Sequence, residues 1–411
     1  MAIAKVVDRL GNTLIDLTGD SVTPNKVLAG TSFHDKNGNL RTGILTSPQS
    51  AYFDKSKYNF IDYDGTLMYS FTDEEIDMMS ELPQPSIDHT EDNLTFQEWN
   101  WNLDDLKSWD RTRPDRPIVG ANYTTTDGYT YMYLDLPAGN KTLSMYFNYY
   151  EGTEEIDWGD GTTTTIRSTT INHTYISAGS YTIKIKGSWN TRLSFSSTSS
   201  DGTTAKQYIR HIRLGNITLE GNGFCNLYHL ETISLSNNAA YELTYAYGMF
   251  RKCFHLIAVV IPRYITGTSN TDYFFDNNFD IETISFSKNI HSIGRNFAYY
   301  CFSLKNIVLP SNITAINGQS FAYDYSLKNI VIPNNTTLSG SNIFQYCYFL
   351  TLDLSHIDKV LSISSSSTIQ IPGNYQDYGI YSTEILVPND LLSAYENDSV
   401  WYYYKGYIKG V

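Results

Sequence analysis

The sequence predicts a β-rich protein of several domains that ends in a repeat solenoid. The chain has 411 residues, more than one hydrophobic core usually organises, so two to four domains are expected. Alternating apolar runs typical of strands fill residues 121–190, and from residue 224 a motif recurs with a period in the twenties. A solenoid presents a face and does not enclose a pocket, so this pattern favours binding over catalysis.

The first expected unit is a small β module at residues 1–48. Hairpin turns are indicated at Gly11-Asn12 and at Asn37-Gly38, each between apolar runs. The phrases GNTLIDLT, VTP, VLAG and HDKNGNLRTG follow one another up to Gly43. They resemble a short module that recurs in phage tail and fibre proteins. The resemblance implies that this segment attaches the chain to other virion proteins.

A small acidic α+β domain is expected at residues 49–120. Residues 51–120 carry sixteen acidic against six basic residues. Thr72 and Glu75 form a capping box for one helix, and Pro83 stops it. Asn102 is placed to cap a second helix that runs through Trp109. The phrases YDGTLMYSFTDEEIDMMSELP and LTFQEWNWNLDDL resemble a module of tail-associated proteins from Firmicute-type phages.

Three tryptophans of this segment lie close together in the sequence. Trp99, Trp101 and Trp109 are interpreted as part of a small hydrophobic core. The alternative is a patch on which carbohydrate stacks.

Residues 121–190 read as a β-sandwich. The phrase Asp157-Trp158-Gly159-Asp160-Gly161 is followed at normal spacing by HTY and AGSY. These phrases resemble the polycystic-kidney-disease domain, a sandwich of immunoglobulin-like shape that serves as a spacer or an adhesion module. The resemblance implies that Trp158 packs between the sheets. Asp157 and Asp160 are expected to form the turn, with cation binding as the alternative.

The repeats predict a leucine-rich-repeat solenoid at residues 208–387. Each copy has a Phe, then a Cys or small polar residue, then an apolar anchor that opens a short strand. The anchors are spaced 26, 25, 23, 23 and 23 residues apart, and they are Leu230, Leu256, Ile281, Leu304, Leu327 and Leu350. The pattern resembles the bacterial surface-antigen class of leucine-rich repeats. That resemblance implies a C-terminal cap at residues 388–411, with a short helix and Trp401.

The cysteines share a register within the repeats, which indicates a packing role. Cys253, Cys301 and Cys347 each stand three residues before an anchor, whereas Cys225 does not. We expect buried, reduced thiols, because disulfides would not explain why other copies lack the position. No Cys-x-x-Cys spacing is present, so neither a metal nor a cofactor is expected.

Tyrosine is the most unusual feature of the composition, with 34 copies. Many stand between the buried Phe and the buried anchor, where side chains are expected to face outward. Tyrosine suits recognition surfaces because it offers a large ring, a hydroxyl and little entropy to lose. The alternative is that these rings only cover the solenoid flank or meet a sister subunit. The candidate partner- or receptor-binding residues are Tyr299, Tyr300, Tyr323, Tyr325, Tyr346 and Tyr348.

Charge and motif content narrow the function classes. The net charge is −14, and residues 210–360 are neutral overall, with ten residues of each sign. Nucleic acid is therefore an unsuitable partner, and no apolar run is long enough for membrane insertion. Paired histidine ligands, nucleophile elbows and phosphate-cradling glycine loops are missing from the sequence, so we expect no enzyme.

The combined features predict a phage virion structural protein, namely a tail fibre, tail-tip or receptor-binding component. It would recognise a glycan or protein of the host surface through its repeats and form a homo-oligomer. The N-terminus resembles no signal peptide, which fits a virion protein assembled in the host cytoplasm. The alternatives are an adhesin on the bacterial cell surface, or a virion decoration or connector protein that binds no receptor.

Overall fold

The computed structural model divides the chain into two compact units, Met1–Tyr52 and Phe53–Val411. Besides the backbone of four short strands near the N-terminus, it describes residues 52–148, 152–188, 190–195, 204–219, 223–236, 247–263, 271–370 and 383–411. Across these residues, no helix has the length and apolar character that crossing a membrane requires.

The first unit contains two antiparallel strand pairs. β1 (Lys5–Val7) pairs with β2 (Thr13–Asp16), and β3 (Ser32–His34) pairs with β4 (Leu40–Thr42). The turn residues expected at Gly11-Asn12 and Asn37-Gly38 lie outside the described residues.

The second unit begins with an α+β module of one four-stranded sheet and two short helices. The sheet order is β6-β5-β8-β7, with β5 and β8 parallel and the other neighbours antiparallel. β8 runs across residue 120, where the sequence suggested a domain boundary. The elements are β5 (Tyr58–Ile61), β6 (Leu67–Phe71), α1 (Asp73–Met78), a 3₁₀ turn (Thr90–Asp92), β7 (Leu94–Trp99), α2 (Leu103–Lys107) and β8 (Ile118–Thr125).

Both helices begin where their capping residues predict. The backbone N–H of Glu75 donates to Thr72 Oγ1 at 3.3 Å, and the N–H of Thr72 donates to Glu75 Oε2 at 2.7 Å, so the predicted capping box is confirmed. Asn102 Oδ1 accepts from the N–H of Asp105 at 2.7 Å. The second helix ends at Lys107, two residues before the predicted end.

The three tryptophans of this module belong to its hydrophobic core. Trp99, Trp101 and Trp109 are all buried, together with strand residues such as Phe60 and Val119. Because each of the three is at most 5% exposed and belongs to this cluster, the interpretation as core is confirmed.

Two further sheets follow the module. One has the order β12-β11-β14-β9-β16-β18, and the other has the order β13-β10-β15-β17. Their strands are β9 (Thr130–Leu136), β10 (Lys141–Asn148), β11 (Glu155–Asp157), β12 (Thr163–Thr165), β13 (Thr170–Tyr175), β14 (Gly179–Lys186), β15 (Arg192–Ser194), β16 (Ile209–Arg213), β17 (Thr218–Leu219) and β18 (Thr232–Ser234). β9 pairs antiparallel with β16, and β16 pairs parallel with β18, so the larger sheet continues into the first repeat.

The Asp-Trp-Gly-Asp-Gly phrase forms a tight turn between β11 and β12. Asp157 Oδ1 accepts from the N–H of Gly159 at 2.9 Å, and Asp160 Oδ1 accepts from the N–H of Thr162 at 3.0 Å. Gly159 has a φ of 75°, a region that favours glycine. Trp158 is fully buried and donates from Nε1 to Thr164 Oγ1 at 2.9 Å. Both aspartates therefore act as turn formers.

The C-terminal part is a β-solenoid of about seven turns. Its coils are joined by parallel strand ladders on two sides, a pattern in which equivalent residues of successive coils stack. The strands on one side are β19 (Ala258–Val260), β20 (Thr283–Ser285), β22 (Asn306–Ile307), β24 (Asn329–Val331), β26 (Thr351–Asp353), β27 (Glu384–Val387) and β28 (Ile408–Gly410). Those on the other side are β21 (Ser292–Ile293), β23 (Ala315–Ile316) and β25 (Thr337–Leu338).

The six predicted anchors are buried in the solenoid core, each at most 2% exposed. After β27 the chain forms α3 (Leu392–Asn397) and a 3₁₀ turn (Trp401–Tyr407). Trp401 is buried and donates from Nε1 to the carbonyl of Leu361 at 2.7 Å. The same core therefore extends into this last segment, where a cap was expected.

Candidate recognition surface on the repeats

The main strand side of the solenoid is covered by the α+β module. Trp101 Nε1 donates to the carbonyl of Phe286 at 2.6 Å, and Asn100 Nδ2 donates to Ser285 Oγ at 2.9 Å. Val260 and Val308 of the solenoid are buried in the hydrophobic core of the module. A partner therefore has no access to this part of the strand side, and a contact surface is left only on other sides of the coils.

The segment before each anchor alternates between inward and outward side chains. The residue three positions before the anchor points inward, and we call this set the inner column: Leu227, Cys253, Asn278, Cys301, Asp324 and Cys347. Cys301 Sγ donates to the carbonyl of Phe275 in the preceding coil at 3.2 Å, and Cys347 Sγ donates to that of Phe321 at 2.9 Å. All four cysteines are buried and free, as predicted.

The residue four positions before each anchor has a left-handed backbone. We call this set the left-handed column: Asn226, Lys252, Asn277, Tyr300, Tyr323 and Tyr346, with φ values of 63°, 60°, 62°, 62°, 69° and 63°. The conformation lets the backbone N–H donate along the solenoid axis to the next coil. The N–H of Tyr300 reaches the carbonyl of Ala322 at 3.0 Å, and the N–H of Tyr323 reaches that of Gln345 at 2.7 Å. The residues with a left-handed backbone therefore take part in the backbone hydrogen-bond ladder that joins successive coils.

The residue two positions before each anchor is aromatic in all six copies. We call this set the outer aromatic column: Tyr228, Phe254, Phe279, Phe302, Tyr325 and Tyr348. Consecutive rings are stacked, with centroid distances of 4.8, 4.8, 5.2, 5.1 and 5.5 Å and interplanar angles of 21° or less. Every ring of the outer aromatic column except the two end rings, Tyr228 and Tyr348, therefore has a neighbouring ring against each face.

The structure brings all six predicted tyrosines together in one cluster on this surface. Tyr300 and Tyr323 have ring centroids 4.3 Å apart, and Tyr323 and Tyr346 have centroids 4.7 Å apart. Tyr299 lies 4.3 Å from Tyr300 by the same measure. The cluster continues to the outer aromatic column, since Tyr346 and Tyr348 lie 6.0 Å apart. Tyr325 links the two columns, with 42% of its surface exposed.

The surface changes in charge along the solenoid. The first three coils carry ionisable side chains in the five positions before the anchor, at Arg251, Lys252, His255, Asp276 and Asp280 among others. In the next three coils those positions hold one ionisable carboxyl, the fully buried Asp324. We call the uncharged part, residues 299–303, 322–326 and 345–349, the tyrosine surface.

Three tyrosines of this surface, Tyr299, Tyr323 and Tyr325, have hydroxyl pKa values raised above the usual value. Burial against neighbouring rings, followed by hydrogen bonding with Tyr300, raises the pKa of Tyr323 to about 12. Burial also raises the pKa of Tyr299 and of Tyr325. The hydroxyls of these three residues are therefore neutral groups that both donate and accept hydrogen bonds.

Left-handed tyrosines are costly for the fold. The left-handed region costs a residue with a Cβ about 1–2 kcal/mol, and asparagine tolerates it best. Stacking and edge contacts return about 0.5–1.5 kcal/mol for each ring pair, and the three tyrosines of the left-handed column take part in seven ring pairs among the described residues. Summed over the three residues, the ring contacts are large enough to offset the backbone cost, so packing between coils supports tyrosine at these positions.

Sequence reasoning missed part of the surface. Phe254, Phe279 and Phe302 continue the stack of Tyr325 and Tyr348, and their shared distance from the anchor shows this in the sequence. The left-handed column also had a sequence indication, because Asn226 and Asn277 occupy it and asparagine favours that conformation. Tyrosine positions alone reveal neither pattern.

Comparisons with known proteins identify the repeats. Residues 217–351, about a third of the chain, match the family model of the BspA type leucine-rich repeat region in six copies. The curated proteins contain no match to the chain. The six copies agree with the six anchors that the sequence predicts, and residues 217–351 are thus a BspA-type leucine-rich repeat region.

Proposed function

We propose that this protein is a phage virion structural protein, a tail fibre, tail-tip or receptor-binding component, that recognises the host surface through its repeats. The observation that carries the proposal is the tyrosine surface, which is uncharged in a chain with a net charge of −14. A neutral, ring-rich surface favours specific contact because aromatic side chains bury much area at little entropic cost.

The attachment role rests on sequence resemblance. The phrases from Gly11 to Gly43 and the module phrases around Thr72 are similar to those of phage tail proteins. In this proposal the N-terminal module contacts other virion proteins, and residues 121–190 form a polycystic-kidney-disease-like spacer of immunoglobulin type. The role is binding, not catalysis, and the protein acts as a homo-oligomer that neither inserts into membranes nor binds nucleic acid.

The two alternatives differ in where the protein is found. An adhesin would be located on the bacterial envelope, whereas a virion protein would purify with phage particles. We would raise an antibody to the chain and probe density-purified particles and envelope fractions of the bacterium whose genome encodes it. A signal in particles supports the proposal, and a signal confined to the envelope supports the adhesin.

The receptor role needs a separate test. The fluorescently labelled full chain is incubated with intact cells of the same bacterium, and bound fluorescence is measured. The variant Tyr323→Ala/Tyr325→Ala/Tyr346→Ala is compared with Tyr402→Ala/Tyr403→Ala, which removes two exposed tyrosines (61% and 67%) from the C-terminal segment. We expect only the first variant to lose binding. A particle protein that binds no cells would instead be a decoration or connector protein.

A further inference from the structure

His89 of the α+β module stands between two carboxylates. Its Nε2 lies 2.7 Å from Asp62 Oδ2, and its Nδ1 lies 3.2 Å from Asp92 Oδ2. A neutral imidazole has one N–H and one lone pair, so it could donate to only one carboxylate while its lone pair faced the oxygens of the other. An imidazolium donates from both nitrogens. The two contacts therefore indicate the doubly protonated form of His89.

The two carboxylates differ in their freedom to leave the ring. The side chain of Asp62 is 1% exposed, and its other oxygen accepts from the backbone N–H of Tyr63 at 2.9 Å. Among the described residues, the ion pairs of Asp62 are limited to the one with His89. The side chain of Asp92 is 42% exposed. When His89 loses a proton, we therefore expect it to keep its bond to Asp62 and to lose Asp92, which can turn into water.

Asp92 carries the connection onward to the larger sheet. Arg213, the last residue of β16, donates from Nη2 to Asp92 Oδ1 at 2.5 Å. Its Nη1 donates to the hydroxyl of Tyr133 on β9 at 2.7 Å. From the interior of the module to the sheet, the side chains thus alternate between negative and positive charge. The alternation holds only while His89 carries its proton.

The surroundings of His89 favour its charged form. Burial lowers the pKa of His89, but the hydrogen bonds and charges of Asp62 and Asp92 outweigh burial, so the pKa is raised above its usual value. Burial, followed by the charge of Asp62, raises the pKa of Tyr63 and Tyr123, whose rings contact the imidazole, so both hydroxyls are neutral. The titratable and charged groups that face His89 and its partners are Asp62, Tyr63 and Asp64 from the turn between β5 and β6, Asp88 and Asp92 from its own segment, Tyr123 from β8, and Arg213 from β16.

The direction of this shift sets the direction of the pH effect. A histidine with a raised folded-state pKa stabilises the fold below its unfolded-state pKa of about 6.5, and this contribution is lost as pH rises through the folded-state pKa. The contacts around His89 should therefore loosen on the alkaline side of neutrality.

We propose that His89 is a pH-sensitive switch, which as an imidazolium joins the buried Asp62 to Asp92 and through Arg213 to the larger sheet, and which releases the 3₁₀ turn of the module when it loses its proton. The switch does not depend on what the repeats bind. Its effect is local, because Asn100 docks the module onto the solenoid through groups that do not titrate.

Nuclear magnetic resonance of the full chain, labelled with ¹⁵N at histidine, tests the protonation state. The signals of His89 are those missing from His89→Gln. We expect both ring nitrogens to show imidazolium shifts at pH 6 and to titrate with a midpoint above about 6.5. Asp92→Asn removes one of the two carboxylates and should lower this midpoint. The matched control is Asp160→Asn, which removes the carboxylate 2.7 Å from Nε2 of His173 and should leave the His89 midpoint unchanged.

Two results of this titration would overturn the proposal. The first is the signature of a neutral tautomer of His89 at pH 6. The second is a midpoint that Asp92→Asn does not move, which would mean that the second carboxylate has no influence on the proton. Both readings stand even where His89→Gln fails to fold, since selective loss of one histidine signal in Asp92→Asn titrations also identifies the residue.

Hydrogen exchange measures the release of the turn. Rates at pH 6 and at one pH unit above the measured midpoint are corrected for the intrinsic pH dependence of exchange. We expect the protection of Thr90–Asp92 to fall roughly tenfold or more at the higher pH, while β8 keeps its protection. His89→Gln should show the low protection at both pH values, and Asp160→Asn should behave like the wild type. Unchanged protection of the turn would defeat the switch, and a loss shared by β8 would contradict a local release.

Discussion

The carboxyl group of Asp324 accepts a hydrogen bond from the backbone N–H of Cys301 in the preceding coil at 2.9 Å. Its second oxygen, Oδ2, is buried and has no hydrogen-bond partner among the described residues. Four other members of the inner column donate hydrogen bonds from their side chains, namely Cys253, Asn278, Cys301 and Cys347. When the Asp324 carboxyl is protonated, its O–H gives the fifth repeat copy a hydrogen-bond donor at this position as well.

The environment of Asp324 favours its protonated form. Burial raises the pKa of this carboxyl well above its usual value. The adjacent thiols of Cys301 and Cys347 also have raised pKa values, chiefly through burial, so they are neutral. A carboxyl with a raised folded-state pKa stabilises the fold below its unfolded-state pKa of about 4, and this contribution is lost as pH rises.

We predict that Asp324→Asn stabilises the protein at pH 7 and has little effect near pH 4. The wild-type carboxyl must stay protonated or be buried as a charge, which costs about 1.4 kcal/mol for each pH unit between its two pKa values. Asparagine supplies the donor without that cost. Urea unfolding at several pH values measures the difference, which we expect to exceed about 1 kcal/mol at pH 7.

The reverse substitution in the same column is the matched control. Asn278 Nδ2 donates to the carbonyl of Phe250 at 2.9 Å. Asn278→Asp should therefore destabilise the solenoid at pH 7 and recover on acidification. A gain from Asp324→Asn that is equal at pH 4 and pH 7 would contradict a protonated Asp324.

Local sequence patterns predicted the repeats and the helix starts. The spacing of the anchors identified the coils because each coil repeats one supersecondary unit, and Thr72 and Asn102 identified helix starts because capping is a local interaction. The tyrosine cluster was also predictable, since residues at one repeat position stack in space. These features need no knowledge of distant contacts.

The docking of the α+β module onto the solenoid could not be predicted. Its contacts join residues far apart in sequence, as Asn100 and Ser285 are, and neither shows a periodic pattern. The pairing of β9 with β16, which continues the larger sheet, also joins residues far apart in the sequence and could not be predicted either. Residues Phe53–Val411 form one compact unit.

A glycine lies where the module and the solenoid are in close contact. A Cβ on Gly120 would overlap the side chain of Val260. We predict that Gly120→Ala destabilises the protein by about 1–3 kcal/mol through overpacking. Val260→Ala alone should also destabilise it, because it removes buried methyl groups.

The double variant decides whether these two positions are in direct contact. Val260→Ala removes the two γ-methyl groups that overlap the new methyl group and leaves only its Cβ, at 2.9 Å, which relieves most of the overlap. Gly120→Ala/Val260→Ala should therefore be more stable than the sum of the single effects predicts, by about 1 kcal/mol. Chemical denaturation of the four proteins measures the coupling. Strict additivity would show that the two surfaces do not meet there.

Asn100 is predicted to be a main polar contact of the docked module. Its Oδ1 accepts from the N–H of Gly120 at 2.8 Å while its Nδ2 reaches Ser285 Oγ, and the side chain is fully buried. Asn100→Ala leaves buried groups unpaired and should cost about 3 kcal/mol. Asn102→Ala, two residues away, removes a helix cap and should cost about 1 kcal/mol. Similar losses from both variants, measured by urea unfolding, would argue against docking through Asn100.

The four buried cysteines also allow a prediction about thiol chemistry. Burial raises the pKa of the thiols of Cys225, Cys253, Cys301 and Cys347, and a protonated thiol is a poor nucleophile. In the native protein we expect all four to react with a disulfide reagent such as Ellman's reagent far more slowly than in 6 M guanidinium chloride. The rate should follow unfolding, so it should rise in Asn100→Ala if the module and the solenoid unfold together. Rapid reaction in the native state would mean that the coils open without global unfolding, and the stacked core would then be too mobile to hold the left-handed tyrosines in one arrangement.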